Sequence, residues 1–403
     1  MTFSKVQIIL IIFSIIFLGN FFVGPITIRN LLGFGLIIYS LFHANKVQLN
    51  RYNVYYFIYL IILIICEGLS GVLLTEVALK GLTYHFICIS IILAFPILFS
   101  KSRKIHYAFR VLVTLYLVNC LVSILQFVNF SPAWELSSFI NPQSGERFEL
   151  FTSVYGEDGE KISHSILTGM FGFVVTNGYF CACVYPLVTA GLVIKPKENK
   201  IIKWVIAIFG LITIYIVQQR MGILIFILYV GYISYKRFQL KTIIIGGIIL
   251  FILFGNLTTE FDFGRFKNTD DPYRTQIWNV LIEYITSSYF LIGGLDLSNE
   301  FIGKVLGHNT ILDAFRRGGF VTMSYYIFFY IALLRVSIKN INASLISSNK
   351  IQFGLWTSAT CYMLYSFTHS SGIQSGDPIF WMLFTLAYYY TYTKHGAKNS
   401  NVH

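Results

Sequence analysis

Charge is scarce in this 403-residue chain: Asp, Glu, Lys and Arg together make up 12% of it, against about 25% in an ordinary water-soluble domain. That is too little polar surface for a water-exposed fold of this length, which excludes a secreted globular enzyme. A disordered chain is excluded as well, because hydrophobic residues reach 56%. Internal repeats and low-complexity tracts are absent. The six cysteines (Cys66, Cys88, Cys120, Cys181, Cys183 and Cys361) are scattered in or beside apolar stretches, with only Cys66 near an outer end. That placement fits packing residues better than disulfides or metal ligands. No small-residue cleavage site follows the first apolar stretch, so it is not a removable signal peptide.

Long apolar runs fill the space these absences leave. A bilayer core takes about 20 mostly apolar residues per helix. About twelve runs meet that description: 6–24, 28–44, 53–66, 82–100, 106–129, 166–194, 203–219, 221–235, 242–258, 320–338, 353–371 and 378–393. The third is short and extends at most through Leu74. The runs are continuously apolar instead of alternating, which excludes a β-barrel. The expected fold is an all-α polytopic membrane protein of about twelve transmembrane helices. Residues 1–258 hold the first nine, with an outer loop near 131–165. Residues 259–319 form a large outer loop containing short helices, and 320–403 hold the last three helices and a tail.

Orientation follows from the basic residues. With the N-terminus inside and the runs alternating, nineteen of the 30 Lys and Arg fall on inner segments. Of the 18 acids only Glu198 does. This is the positive-inside bias, and it makes the formal net charge of +12 a topology signal instead of a nucleic-acid footprint. Both termini are expected in the cytoplasm.

The type of basic residue differs between the sides. Inside, lysine dominates. Outside, seven of eleven are arginine: Arg29, Arg147, Arg220, Arg265, Arg274, Arg316 and Arg317. Arginine presents a planar fork that pairs with two phosphate oxygens and tolerates partial dehydration, so this asymmetry suggests recognition of an anionic headgroup. The ordinary alternative is ion pairing with the many outer acids, which contributes little at an exposed site. Arg220 stands between two long apolar runs in Gln218-Gln219-Arg220-Met221-Gly222. A charge at that depth is costly and marks a functional candidate, unless it snorkels from a tight turn.

Two outer loops are too long to be connectors, Ser131 to about Ser165 and about Thr259 to Gly319. In the second, Ile277, Leu281 and Ile285 share a stripe with Trp278 and Ile282 beside it, which predicts an amphipathic helix over Tyr273–Ser287. A shorter helix is expected after Asn309 or Thr310 as cap, with Ile311, Leu312 and Phe315 as its apolar stripe and Gly318-Gly319 as its end. His308 precedes it, and a neutral histidine there can take a proton from a sugar hydroxyl or simply hydrogen-bond at the surface. His369 is a weaker candidate near another outer end. Hard oxygen ligands for Mg²⁺ exist in Glu260-x-Asp262 and Asp270-Asp271, although such pairs in a hydrophilic loop are usually solvated. The first outer loop, about Asn20–Thr27, holds no acid.

The order of these elements resembles the O-antigen polymerase/ligase superfamily of bacterial envelopes. The matching residues are Arg220-Met221-Gly222 opening a helix, Arg274 with Trp278, Gly293-Gly294, His308-Asn309 and Gly318-Gly319 before the next run, with an earlier, weaker match from Gly172 to Asn177-Gly178. Gln219 and Met221 stand where several members carry a hydroxyl residue. The resemblance implies a metal-independent, inverting glycosyl transfer with no cofactor, on the periplasmic side of the bacterial inner membrane. Its donor is a glycan on undecaprenyl diphosphate and its acceptor another lipid-linked repeat unit. By that resemblance Arg220 and Arg274 hold the diphosphate, His308 acts as base or orients the acceptor hydroxyl, and Asn309 supports it. Charge and placement add Arg265, Arg316 and Arg317 as substrate-binding candidates. Membrane lipids and a chain-length-determining co-polymerase are candidate partners, and nucleic acid is not. The rivals are an O-antigen ligase, another envelope polysaccharide polymerase and, from a different class, a polysaccharide flippase. A flippase needs charged or polar groups along an inner cavity, whereas mid-run charges are almost absent here.

Reporter fusions check the orientation. Green fluorescent protein fused after His403 is expected to fluoresce, and alkaline phosphatase inserted near residue 160 to be active. The reverse pair of results overturns the assigned sidedness.

Overall fold

The computed structural model describes residues 4–23, 26–71, 73–74, 76–141, 167–171, 174–194, 201–217, 220–237, 290–293, 309–367 and 376–399. Among them are twelve α-helices and one pair of two-residue antiparallel strands, Phe22–Val23 with Ile26–Thr27. The first six helices are α1 (Lys5–Phe17), α2 (Ile28–Phe42), α3 (Arg51–Leu69), α4 (Glu76–Leu98), α5 (Ser102–Phe127) and α6 (Ser131–Ile140). The others are α7 (Val174–Ile194), α8 (Ile201–Val217), α9 (Arg220–Arg237), α10 (Thr310–Ile346), α11 (Lys350–Ser366) and α12 (Pro378–Asn399).

Among the described residues, five segments are long and apolar enough to cross a membrane: Arg51–Leu69, Gly81–Leu98, Ser102–Phe127, Thr176–Ile194 and Thr310–Ile346. Four shorter apolar helices, Lys5–Phe17, Ile28–Phe42, Ile201–Val217 and Met221–Lys236, accompany them. Eleven of the twelve apolar runs fall on helices; the run 242–258 lies outside the described residues.

Helix starts follow local chemistry. Ser4 and Gln7 form a reciprocal capping box on α1. Asn50 accepts from the amides of Tyr52 and Asn53 at α3, and Asp377 accepts from Ile379 and Phe380 at 2.8 and 3.0 Å at α12. The run 53–66, open to extension through Leu74, forms a 19-residue helix that takes in Glu67. Two boundaries differ from the sequence reading. Residues 131–140, expected as loop, form α6, with a proline in its first turn where no amide is needed. The run 320–338 continues as helix to Ile346, and polar residues beyond it bond back to their own backbone. Asn340 donates to Val336 O and Ser344 to Ile341 O.

Helix α11 is the axis of the bundle. It is buried on every side along nearly its whole length, as expected of a helix surrounded by others, and its polar Gln352, Thr357, Ser358, Thr360 and Ser366 are buried with it. It packs chiefly on α7, α10 and α12. Helices α2 and α8 instead leave large apolar side chains exposed, among them Leu31, Phe34, Ile38, Trp204 and Ile208.

Helix α10 is two helices in one. Gly318 (φ −137°, ψ 22°) and Gly319 (φ 63°, ψ −160°) leave the helical region and separate Thr310–Arg317 from the long helix that follows. Gly293 (φ 71°) packs its backbone against Gly318 and Gly319. Phe320 N donates to Phe290 O at 2.7 Å and Val321 N to Leu291 O at 3.2 Å. A side chain on Gly319 would collide with the backbone of Gly293 and Leu291, and its dihedrals belong to a region that only glycine occupies without strain. The two glycine pairs singled out in the sequence thus reach the same place, through Gly293.

Gly319→Ala is expected to destabilise the protein by roughly 1–3 kcal/mol from backbone strain alone, read as a lower thermal midpoint in detergent. Gly35→Ala, where the added methyl meets open space, should leave that midpoint unchanged or raise it.

Candidate functional site

One end of the bundle gathers the charged side chains that the described residues bury. Glu67 comes from the last turn of α3, Asp313, Arg316 and Arg317 from the first segment of α10, Asp377 from the cap of α12 and Arg29 from the first turn of α2. The sequence reading assigns this end to the outside. The first turns of α4 lie between these groups. The Arg317 guanidinium rests on Gly81, the turn at Gly376 rests on the backbone of Tyr84 and His85, and the His85 ring shares a 2.7 Å hydrogen bond with Tyr56.

Each arginine has a partner. Arg317 Nε donates to Glu67 Oε1 at 2.7 Å, and both side chains are nearly inaccessible, at 10% and 2%. Arg316 lies 3.6 Å from Asp313, one helical turn earlier. Arg29 packs its guanidinium on Gly19 and donates through Nη2 to Ile16 O at 3.3 Å, near the C-terminal end of α1 where a cation is favoured. It also lies in the field of Asp377, whose other oxygen accepts from the Tyr179 hydroxyl at 3.3 Å. Pairing is incomplete: Arg29 Nε, Arg316 Nε, Arg317 Nη2 and Glu67 Oε2 are buried without a hydrogen bond. A desolvated charge is costly unless its opposite lies beside it, so this layer is held together by the requirement that none of its members stand alone.

Asn309 caps α10, its Oδ1 accepting from Ile311 and Leu312 at 2.9 and 3.2 Å and its Nδ2 donating to Phe367 O at 3.0 Å. Asn309, Arg316 and Arg317 therefore share one helical segment but point to different neighbours. Asn309 meets the end of α11 and Arg317 meets α3, with about 12 Å of helical rise between them. Arg220 is the first residue of α9, which is the helix-opening position expected of it; its side chain lies outside the described residues. So do His308, Arg274, Arg265, His369, the acids Glu260, Asp262, Asp270 and Asp271, and the amphipathic segment Tyr273–Ser287. Among the described residues no group of His, Cys, Asp and Glu is arranged to hold a metal ion.

A second polar cluster, beside α5 and α7, was reached by the sequence only through Asn177. Asn119 Nδ2 donates to Asn177 Oδ1 at 2.7 Å, and Asn177 Nδ2 donates to Ser123 Oγ and Leu167 O. Met170 N donates to Asn119 Oδ1, Gly169 N to Gln126 Oε1, and Asn141 Nδ2 to Met170 O. Side chains from α5, α6 and α7 thus replace regular secondary structure for the backbone of 167–171. Gly169 (φ 52°) fits because its Cα lies directly on the two asparagine amides. The cluster fixes the backbone of 167–171, just before α7, against α5 and α6. Its sequence signal was four amides, two in α5 and one each in α7 and after α6, in stretches otherwise apolar.

No protein-family model matches the chain, and no curated protein matches it at a meaningful level.

Asn177→Ala should cost about 1–3 kcal/mol by leaving buried partners unpaired. Combined with Asn119→Ala it should cost less than the sum of the two single changes, because they share a bond. Unfolding midpoints of the three variants in detergent provide the measurement, and strict additivity would mean that the two amides act independently.

Proposed function

We propose that this chain is a membrane glycosyltransferase of the O-antigen polymerase type. In this reading it sits in a bacterial inner membrane with about twelve spans and both termini in the cytoplasm. It transfers a growing glycan from undecaprenyl diphosphate to a new lipid-linked repeat unit on the periplasmic face.

The observation that carries the reading is the local structure found where its motif residues are described. Asn309 caps a short helix, Gly318-Gly319 breaks that helix from the following span, and Gly293 closes onto the break. These are the residues on which the resemblance rests, and each has a conformational reason to be the residue it is. Arg220 opening α9 adds a fourth. Among the described residues, the confinement of buried charges to helix ends supports chemistry at one face over passage through the bundle, which favours an enzyme over a flippase.

The acceptor hydroxyl oxygen attacks the anomeric carbon of the donor as that carbon's bond to the diphosphate oxygen breaks. The electron pair leaves with the diphosphate, and the hydroxyl proton passes to His308. Arg220 and Arg274 stabilise the charge developing on the leaving oxygen, a role that preorganised guanidinium groups fill with little rearrangement. A base in reach of the hydroxyl contributes about 10²–10⁴-fold. Arg265 would face the same headgroup. Arg316 and Arg317, engaged by Asp313 and Glu67, would contribute to the mouth as members of ion pairs, so phosphate oxygens there compete with carboxylates.

A deletion strain carrying plasmid-borne variants tests the reading on a gel of envelope glycans. Loss of the protein should leave single-repeat glycolipid; complete absence of surface repeat units indicates a flippase, and free polymer that is never attached to its lipid core indicates a ligase. Arg220→Ala, Arg274→Ala and His308→Ala should each abolish long chains at normal membrane levels. Arg220→Lys should fail as well if fork geometry matters. Wild-type ladders from all three alanine variants would remove the site assignment.

A further inference from the structure

We propose that Glu67 is a positioning residue, holding the segment Asn309–Arg317 in register with the rest of the bundle through Arg317. This rests on the reading above, in which the residue preceding Asn309 in the chain takes the acceptor proton.

The segment needs holding. Thr310–Arg317 is two turns of helix, too short to be stable by itself. The break at Gly318-Gly319 removes the rigid connection to Phe320–Ile346 that an unbroken helix would supply. Two ties act at its first turn: Asn309 Nδ2 to Phe367 O, and a 2.6 Å hydrogen bond shared by the hydroxyls of Thr310 and Tyr326. Further along, Phe315 meets the ring of Phe290 and the turn at Gly293 braces the glycine break, but none of these contacts links the segment to α3. The far end is fixed by Arg317 on Glu67, a contact spanning 250 residues of chain, with Gly81 of α4 forming the seat beneath the guanidinium.

Glu67 has no local reason to be acidic. It lies in the last turn of α3, where the helix dipole disfavours a negative charge, and it is 1% exposed. Its Oε2 accepts no hydrogen bond. An amide or an apolar residue would suit α3 better, and among the described residues the one charged hydrogen bond the carboxylate makes is to Arg317. Charged, directional and buried, that bond selects an orientation where apolar packing would tolerate several.

A cysteine reporter provides a readout independent of catalysis. Ala314 is fully buried on the held segment, and Ala314→Cys adds little volume. With Glu67 in place, its labelling by a membrane-impermeant maleimide in intact spheroplasts should be slow. Glu67→Ala should raise the labelling rate at least tenfold, Glu67→Gln by less, and the exchanged pair Glu67→Arg with Arg317→Glu should return it toward the starting value. The second arm uses purified protein without the reporter and a lipid-linked repeat unit as substrate. Glu67→Gln should lower kcat about tenfold or more per folded molecule and leave KM for the donor within about twofold. A labelling rate unchanged in both Glu67→Ala and Glu67→Gln overturns the proposal. If Glu67→Ala does not insert, the isosteric Glu67→Gln decides alone. If the wild-type protein makes no polymer, the functional reading fails, and the labelling arm still decides whether Glu67 holds the segment.

Discussion

An apolar medium offers no hydrogen bonds, so a chain built for one must satisfy its polar groups from within. Most of the features described above are answers to that single demand. Backbone groups in the long segments are satisfied inside helices, which is why almost nothing else forms. At helix starts, where amides run out of partners, the chain supplies Ser4, Thr27, Asn50, Asn309, Asn349 and Asp377. Where the backbone is neither helix nor strand, at 167–171, asparagine and glutamine side chains take over the same task. Arg317 finds its opposite charge on another helix and Arg316 finds it one turn away.

The same demand explains why the buried charges lie at helix ends. In mid-helix the backbone is already saturated, and a charged side chain there has only side chains to turn to. At an end, open amides and carbonyls share the load: Asp377 is held by two amides and Arg29 by a carbonyl. Concentrating these groups at one end gives the bundle a rigid polar rim on a core made of aromatic and aliphatic contacts. Tyr56, Tyr59, Phe329 and Trp381 pack against one another, and both tyrosines meet the His85 ring.

What could be read in the sequence follows from the range of each interaction. Apolar runs are local, and eleven of the twelve described helices lie on them, α6 being the exception. Caps and breaks are local too, so the helix after Asn309 and its end at Gly318-Gly319 were both expected. Boundaries were missed where a helix continues through polar residues, as beyond residue 338, because side chains that bond back to their own turn resemble loop formers in a sequence. The pairing of Glu67 with Arg317 was invisible, since nothing in either neighbourhood refers to the other. Arg316 and Arg317 were recognisable as unusual arginines, but whether an acid or a ligand answers them is a property of packing. Asn177 stood out in the sequence, and its partner Asn119, 58 residues away, did not.

The break in α10 also separates two mechanical roles. A long apolar helix adapts to a thinner or thicker bilayer by changing its tilt, and an unbroken helix would carry that tilt into everything attached to its end. Between Arg317 and Phe320 the backbone turns through two glycines, braced by Gly293 from a different part of the chain. Leaning of Phe320–Ile346 therefore meets a bend before it reaches the polar rim, and the bond between Thr310 and Tyr326 is a link that still couples the two.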